Sequence, residues 1–194
     1  RGSWTYEPVT PENMAASEAR ARDRLRKHPE VIAEAEAAGR LRALTYKALA
    51  LTGLRLNELR SLTVGAVNLD GPAPFAVLRA ADEKARRGAE IPLRADLAAD
   101  LSRHLADRLQ IAQRAAQREN RPVPVRLPAD APLLDVPNGL VKRFNRDLIA
   151  GGIATAVRDG RKWLIDKRDG LGRGLDLHCL RHTFNSLLAA AGVP

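Results

Sequence analysis

The sequence predicts a mostly α-helical fold with one small antiparallel β-sheet, an α+β arrangement. Two observations carry that reading. Apolar residues recur at helical spacing, most clearly in Leu97, Leu101, Leu105 and Leu109, four apart with charges between them. Two short runs of strand composition, 75–80 and 89–93, flank the turn signal Arg86-Arg87-Gly88. A chain of 194 residues can bury a real core and suits one domain with a small appendage.

The elements follow in order. Trp4 to Asn13 contains Pro8 and Pro11 and reads as an extended lead-in. Thr10-Pro11-Glu12-Asn13 reads as a helix start, with Thr10 capping and Pro11 in the first turn. Ala15 to Ala38 is rich in Ala, Glu and Arg and forms one or two helices, broken near His28-Pro29. Gly39 punctuates, so residues 1–39 are a lead-in with helices and 40–194 the main domain. Leu41 to Leu51 is a buried helix that contains Tyr46 as a core residue. Thr52-Gly53 ends it, and Leu56, Leu59 and Leu62 mark one face of the next helix. Val64 to Asp70 is a short strand or extended turn, closed by Gly71-Pro72-Ala73-Pro74. The two strand-like runs then form a hairpin with Lys84 near its bend.

Asp96 to Asn120 is the clearest helix. Arg121 to Pro137 is Pro-rich and reads as a long surface loop ending at Asn138-Gly139. Leu140 to Ala150 is a basic amphipathic helix with Leu140, Phe144 and Leu148 inward, closed by Gly151-Gly152. Arg158 to Gly174 is charged around Trp163, Leu164 and Ile165, and reads as a loop or weak hairpin. Leu177 to Ala191 is the last helix. His28 and His104 fall on charged helical faces and are expected to be solvated. Cys179 and Trp163 are expected in the core. There is no internal repeat.

The net charge is +9, and arginine predominates over lysine. Arginine grips phosphate bidentately, and a basic excess points to a polyanionic partner, most often nucleic acid. The single cysteine, Cys179, excludes an internal disulfide and a Cys-rich zinc site. No apolar run is long enough to span a membrane, and no secretory signal is visible, so an intracellular protein is expected. Arg1-Gly2-Ser3 has the look of an expression scar.

Two stretches carry chemistry. In L-T-G-L-R-L-N-E-L-R-S-L, Arg55 stands at a helix junction and Glu58 one turn later can brace its guanidinium. That pair is either a solvated ion pair at a helical corner or part of a cleft. In L-H-C-L-R-H-T-F, His178 and Arg181 are three apart and share a face if both are helical. Such a pair suits a phosphate, the arginine holding oxygens and the histidine moving a proton near neutral pH. The competing reading is a helix start with His178 as a cap.

Taken together, and in this order, these stretches resemble the tyrosine recombinase (phage integrase) family from about Leu41 onward. The arginine after the T-G-L turn is Arg55. The family's hairpin lysine corresponds to Lys84 before Ile91-Pro92-Leu93, with Arg86 and Arg87 as neighbouring alternatives. Its H-x-x-R motif falls on His178 and Arg181. The resemblance implies the catalytic-domain fold of these DNA breaking-rejoining enzymes. It implies site-specific strand cleavage and rejoining through a 3′-phosphotyrosyl link, with no metal or other cofactor. Arg55 and Arg181 would neutralise the transition state, Lys84 would protonate the leaving 5′ oxygen, and His178 would assist the nucleophile. Glu58 and His182 would support them. The implied partner is double-stranded DNA, with self-association on DNA in the intact protein, in the cytoplasm of a bacterial or phage setting and with no small-molecule substrate. A type IB topoisomerase carries a similar Arg, Lys and Arg set; a DNA-binding module that has lost catalysis is a rival of another class. The family's nucleophile follows its H-x-x-R motif, whereas the tyrosines here are Tyr6 and Tyr46. The resemblance therefore implies a catalytic-domain fragment that lacks its nucleophile.

Overall fold

The computed structural model describes residues 11–83, 86–159 and 162–193. The lead-in up to Thr10, including Tyr6, lies outside them, as does Lys84. Helices and antiparallel strands combine in an α+β fold, with six α-helices and two separate sheets among the described residues. The chain divides into two compact units, one of 1–39 with 137–179 and one of 40–136 with 180–194. Beyond the expected boundary after Gly39, residues 137–179 group with the N-terminal helices. No helix among the described residues is long and apolar enough to cross a membrane.

The first unit contains helix α1 (Pro11–Arg24) and the start of α2 (Pro29–Thr52). The break expected near His28-Pro29 is there, since Pro29 opens α2 at the position where its missing N–H costs nothing. Arg22 bridges the two helices, bonding Glu18 on its own helix and Glu36 on α2 at 2.9 Å. Helix α5 (Leu140–Ala150) packs on α1 and buries Leu140, Phe144, Leu148 and Ile149. Gly152, at φ +69°, ends it: its N–H returns to Ile149 O, and that of Ile153 to Leu148 O. Strands β4 (Thr155–Asp159) and β5 (Lys162–Asp166) then form a two-stranded antiparallel ribbon, which settles the loop-or-hairpin choice for this region. The side chain of Trp163 is outside the described set.

In the second unit, α2 continues without a break. Gly39 does not punctuate: it sits inside α2 with helical backbone and does not take the left-handed conformation of a common terminating glycine. Helix α3 (Leu56–Ser61) follows, then a 3-10 turn (Val64–Ala66) and β1 (Val67–Asn68). β1 pairs with β2 (Phe75–Leu78), and β2 with β3 (Ala89–Pro92), in an antiparallel sheet of order β1-β2-β3. The register sets Val67 and Ile91 beside Ala76, which is fully buried.

Helix α4 (Ala95–Arg118) buries Leu97 and Leu101. Lys47 ties it to α2 through Asp96 at 2.9 Å and Asp100 at 2.7 Å. The Arg94 guanidinium, bonded to Asp96 through two nitrogens at 2.9 Å, and then Lys47 hold the Asp96 carboxyl well below its usual range. Asn120, at φ +50°, ends α4 in the same hydrogen-bond pattern as Gly152 ends α5.

The segment 121–137 departs from the expected surface loop. It is irregular, yet Leu133 and Leu134 are 1% and 2% exposed. Its backbone is docked: Val64 N–H donates to Ala131 O, Gly65 N–H to Ala129 O, and Leu133 N–H to Leu62 O at 2.8 Å. Arg108 on α4 donates to the carbonyls of Pro132 and Leu133. A buried irregular segment must satisfy its backbone polar groups, and these bonds do so. Helix α6 (Cys179–Ala190) completes this unit from Leu180 on.

Candidate functional site

The site grows from the end of α2. Thr52 is buried and returns its hydroxyl to Ala48 O at 2.6 Å, while accepting from Leu54 N–H. Gly53 then turns the chain at φ +65°. A Cβ there would run into the ring of Phe184 from α6, so only glycine allows that approach. The chain leaves the turn extended, with Arg55 at φ −72° and ψ 154° as the N-cap of α3.

Glu58, at the third position of α3, turns back onto this cap. One carboxylate oxygen accepts the Arg55 backbone N–H at 2.8 Å, and the other accepts the Arg55 guanidinium at 2.8 Å. This is half of a capping box, closed by a charge. Arg181 comes from α6: its Nη1 lies 3.9 Å from Glu58 Oε2 and donates to the carbonyl of Gly53. Two guanidiniums thus converge on one carboxylate.

Exposure differs sharply between the partners. The Glu58 side chain is 6% exposed, whereas Arg55 keeps 41% and Arg181 32%. A buried carboxylate requires compensation, and the arginines supply it. They also exceed it: two positive charges face one negative charge, and both guanidiniums remain open to solvent. A guanidinium carries five N–H donors, so each arginine retains capacity for an oxyanion. The arrangement can bind phosphate, sulfate or carboxylate.

The other sequence-derived residues lie as follows. His178 is exposed, in the turn before α6 and not on the helix, so it does not share a helical face with Arg181. The Asp176 carboxylate caps this turn, accepting the N–H groups of His178 at 2.8 Å and Cys179 at 3.0 Å. His182 is exposed on α6. Lys84 falls outside the described residues. Its neighbours Arg86 and Arg87 are exposed at the hairpin bend, Arg86 at φ +53°. The Arg87 N–H is held by the Glu83 carboxylate at 3.1 Å.

Three further positions differ from expectation. Tyr46 is only partly buried. Cys179 is also partly buried, and that burial raises its thiol pKa. His104 is only partly exposed: its Nε2 is buried and has no hydrogen-bond partner among the described residues. Burial, then the nearby Arg108 charge, pushes its pKa below the usual 6.5.

Phe184 is the residue that sequence reasoning missed. Its place three residues after Arg181 put it on the arginine's face of α6, and the T-G-L glycine was the sign that something approaches closely. No protein-family model matches this chain, and no curated protein matches it.

Proposed function

We propose that this chain engages the phosphodiester backbone of double-stranded DNA through Arg55 and Arg181, as the core of a site for strand cleavage and rejoining of the tyrosine recombinase type. The observation that carries the reading is the pair of partly exposed guanidiniums on the buried Glu58 carboxylate, contributed by residues 126 positions apart in sequence. A pentacoordinate phosphorane gathers charge on its non-bridging oxygens, and two preorganised guanidiniums answer that charge without reorganising. The Glu58 carboxylate holds the Arg55 guanidinium and the Gly53 carbonyl holds that of Arg181 in advance, so less side-chain freedom is lost on binding.

In this reading the remaining roles follow the motif order. Lys84 delivers a proton to the leaving 5′ oxygen, and His178 assists proton transfer at the attacking hydroxyl. The fold of these enzymes, mostly helical with a small sheet carrying the lysine, is part of the same proposal.

The test is DNA affinity by fluorescence anisotropy across a salt series. Arg55→Ala and Arg181→Ala should each weaken binding and lower the slope of log affinity against log salt by about 1. Arg55→Lys should keep the slope and lose part of the affinity, because lysine keeps the charge without the fork. Unchanged affinity and slope in both alanine variants, with the fold intact by circular dichroism, would sink the proposal.

A further inference from the structure

The β4–β5 ribbon holds an observation that the DNA reading does not use. Val157 and Leu164 are cross-strand partners, and they are 56% and 52% exposed. On the other face of the ribbon, Ala156 is buried and Ile165 half-buried. The ribbon has two strands, and no third strand pairs with either edge among the described residues. The chain returns only beyond the end of β5, where Leu175 N–H donates to Lys167 O. An unpaired edge beside an exposed apolar pair is a template for another strand.

The sequence of β5 selects the strand. It reads Lys-Trp-Leu-Ile-Asp from 162 to 166, basic at one end, acidic at the other and apolar between. Antiparallel pairing of β5 with itself about Leu164 brings the Lys162 position opposite the Asp166 position of the second copy, twice by symmetry. It sets Leu164 against Leu164, and Trp163 against Ile165. Strand alternation keeps positions 162, 164 and 166 in phase, so this pairing lines up Val157, Leu164, Leu164 and Val157 as one apolar stripe between the charge-bearing positions. Parallel pairing in the same register would oppose like charges. β4 reads Thr-Ala-Val-Arg-Asp and has no such symmetry.

We propose that the free edge of β5 is a self-association surface, on which a second copy of this chain adds its own β5 antiparallel about Leu164 to make a four-stranded sheet across a two-fold axis. The contact is isologous and therefore closes at two copies. Two five-residue strands fall short of the roughly 1,000 Å² of a stable interface, so the association is weak and concentration-dependent. It does not depend on Arg55, Arg181 or DNA.

The test is sedimentation velocity of the 194-residue chain without DNA, up to its solubility limit. The wild type should move from monomer to dimer. Lys162→Asp or Asp166→Lys opposes like charges at both symmetric positions and should raise the dimer Kd by about tenfold. The double variant Lys162→Asp with Asp166→Lys should restore it. A disulfide trap is independent of those variants' folding: Leu164→Cys with Cys179→Ser should cross-link to a covalent dimer under oxidised glutathione, and Leu171→Cys with Cys179→Ser should not. Monomer at every concentration with no cross-link, or a dimer indifferent to the charge variants, would overturn the proposal.

Discussion

The Arg181 guanidinium donates to the carbonyl of Gly53, 128 residues earlier in the chain. The same glycine meets the Phe184 ring one turn along α6. One residue is therefore fixed twice, by a positive φ and by an aromatic neighbour. Gly53→Ala should destabilise by about 2–4 kcal/mol, combining left-handed strain with overpacking. Urea denaturation should show a lower midpoint at unchanged slope. Adding Phe184→Ala should cost less in that background than in the wild type, since it relieves the clash.

Glu58→Gln keeps the shape of the side chain and removes its charge. It should cost about 1–2 kcal/mol of stability, a value discounted because both arginines face solvent. DNA affinity at low salt should rise, because the two guanidiniums lose their internal counter-charge. Anisotropy and a thermal melt on one preparation measure both; reduced affinity would show that Glu58 matters more for aiming the arginines than for neutralising them.

His104 gives the pH dependence a defined direction. Its folded pKa is lowered, so the unfolded chain takes up the proton first as pH falls. Its contribution is present above about 6.5 and is lost as pH drops below that value toward the folded pKa. The groups acting on it are Arg108, which lowers the pKa, and Asp135 and Asp107, which raise it. Melting temperature should decline between pH 7 and 5, and His104→Leu should flatten that decline. The separate loss from protonating Asp96 belongs below its ordinary 3.8, because its pKa is also lowered.

Leu134→Ala tests whether the segment 121–137 belongs to the core. At 2% exposure it should cost about 2–4 kcal/mol. A surface loop residue would change stability by less than ~0.5 kcal/mol, so one denaturation curve decides.

Gly39→Ala should stabilise. The glycine is helical, and a methyl group there meets nothing within 4 Å. The gain should be about 0.5–1 kcal/mol, mostly from restricting the unfolded chain. A loss of helicity by circular dichroism would contradict it.

Local patterns were legible where the cause is local. The spacing of Leu140, Phe144 and Leu148 gave α5 its bounds and its buried face, and Arg86-Arg87-Gly88 gave the hairpin. The T-G-L-R corner and its Glu58 brace could be read because cap and turn chemistry act over three or four residues. What failed depends on distant chain. Leu133 and Leu134 sit among prolines that look like loop, and only Leu62, Val64 and Arg108 make them interior. His104 shares its helix with charges, yet its ring nitrogen is buried. Gly39 carries the signature of a stop, but nothing after it draws the chain out of the helix. At His178 the capping group was Asp176, two residues upstream of where the motif drew attention.

The Gly53 corner also orders events in time. Arg55 and Glu58 can meet as soon as α3 forms, since three residues separate them. Arg181 and Phe184 emerge from the ribosome more than a hundred residues later, and loop closure of that length is slow. Until then the nascent chain carries an open corner, with the Glu58 carboxylate answered by one arginine instead of two. The second guanidinium therefore arrives as a late latch, and the pair that would hold a phosphate exists only once α6 has docked.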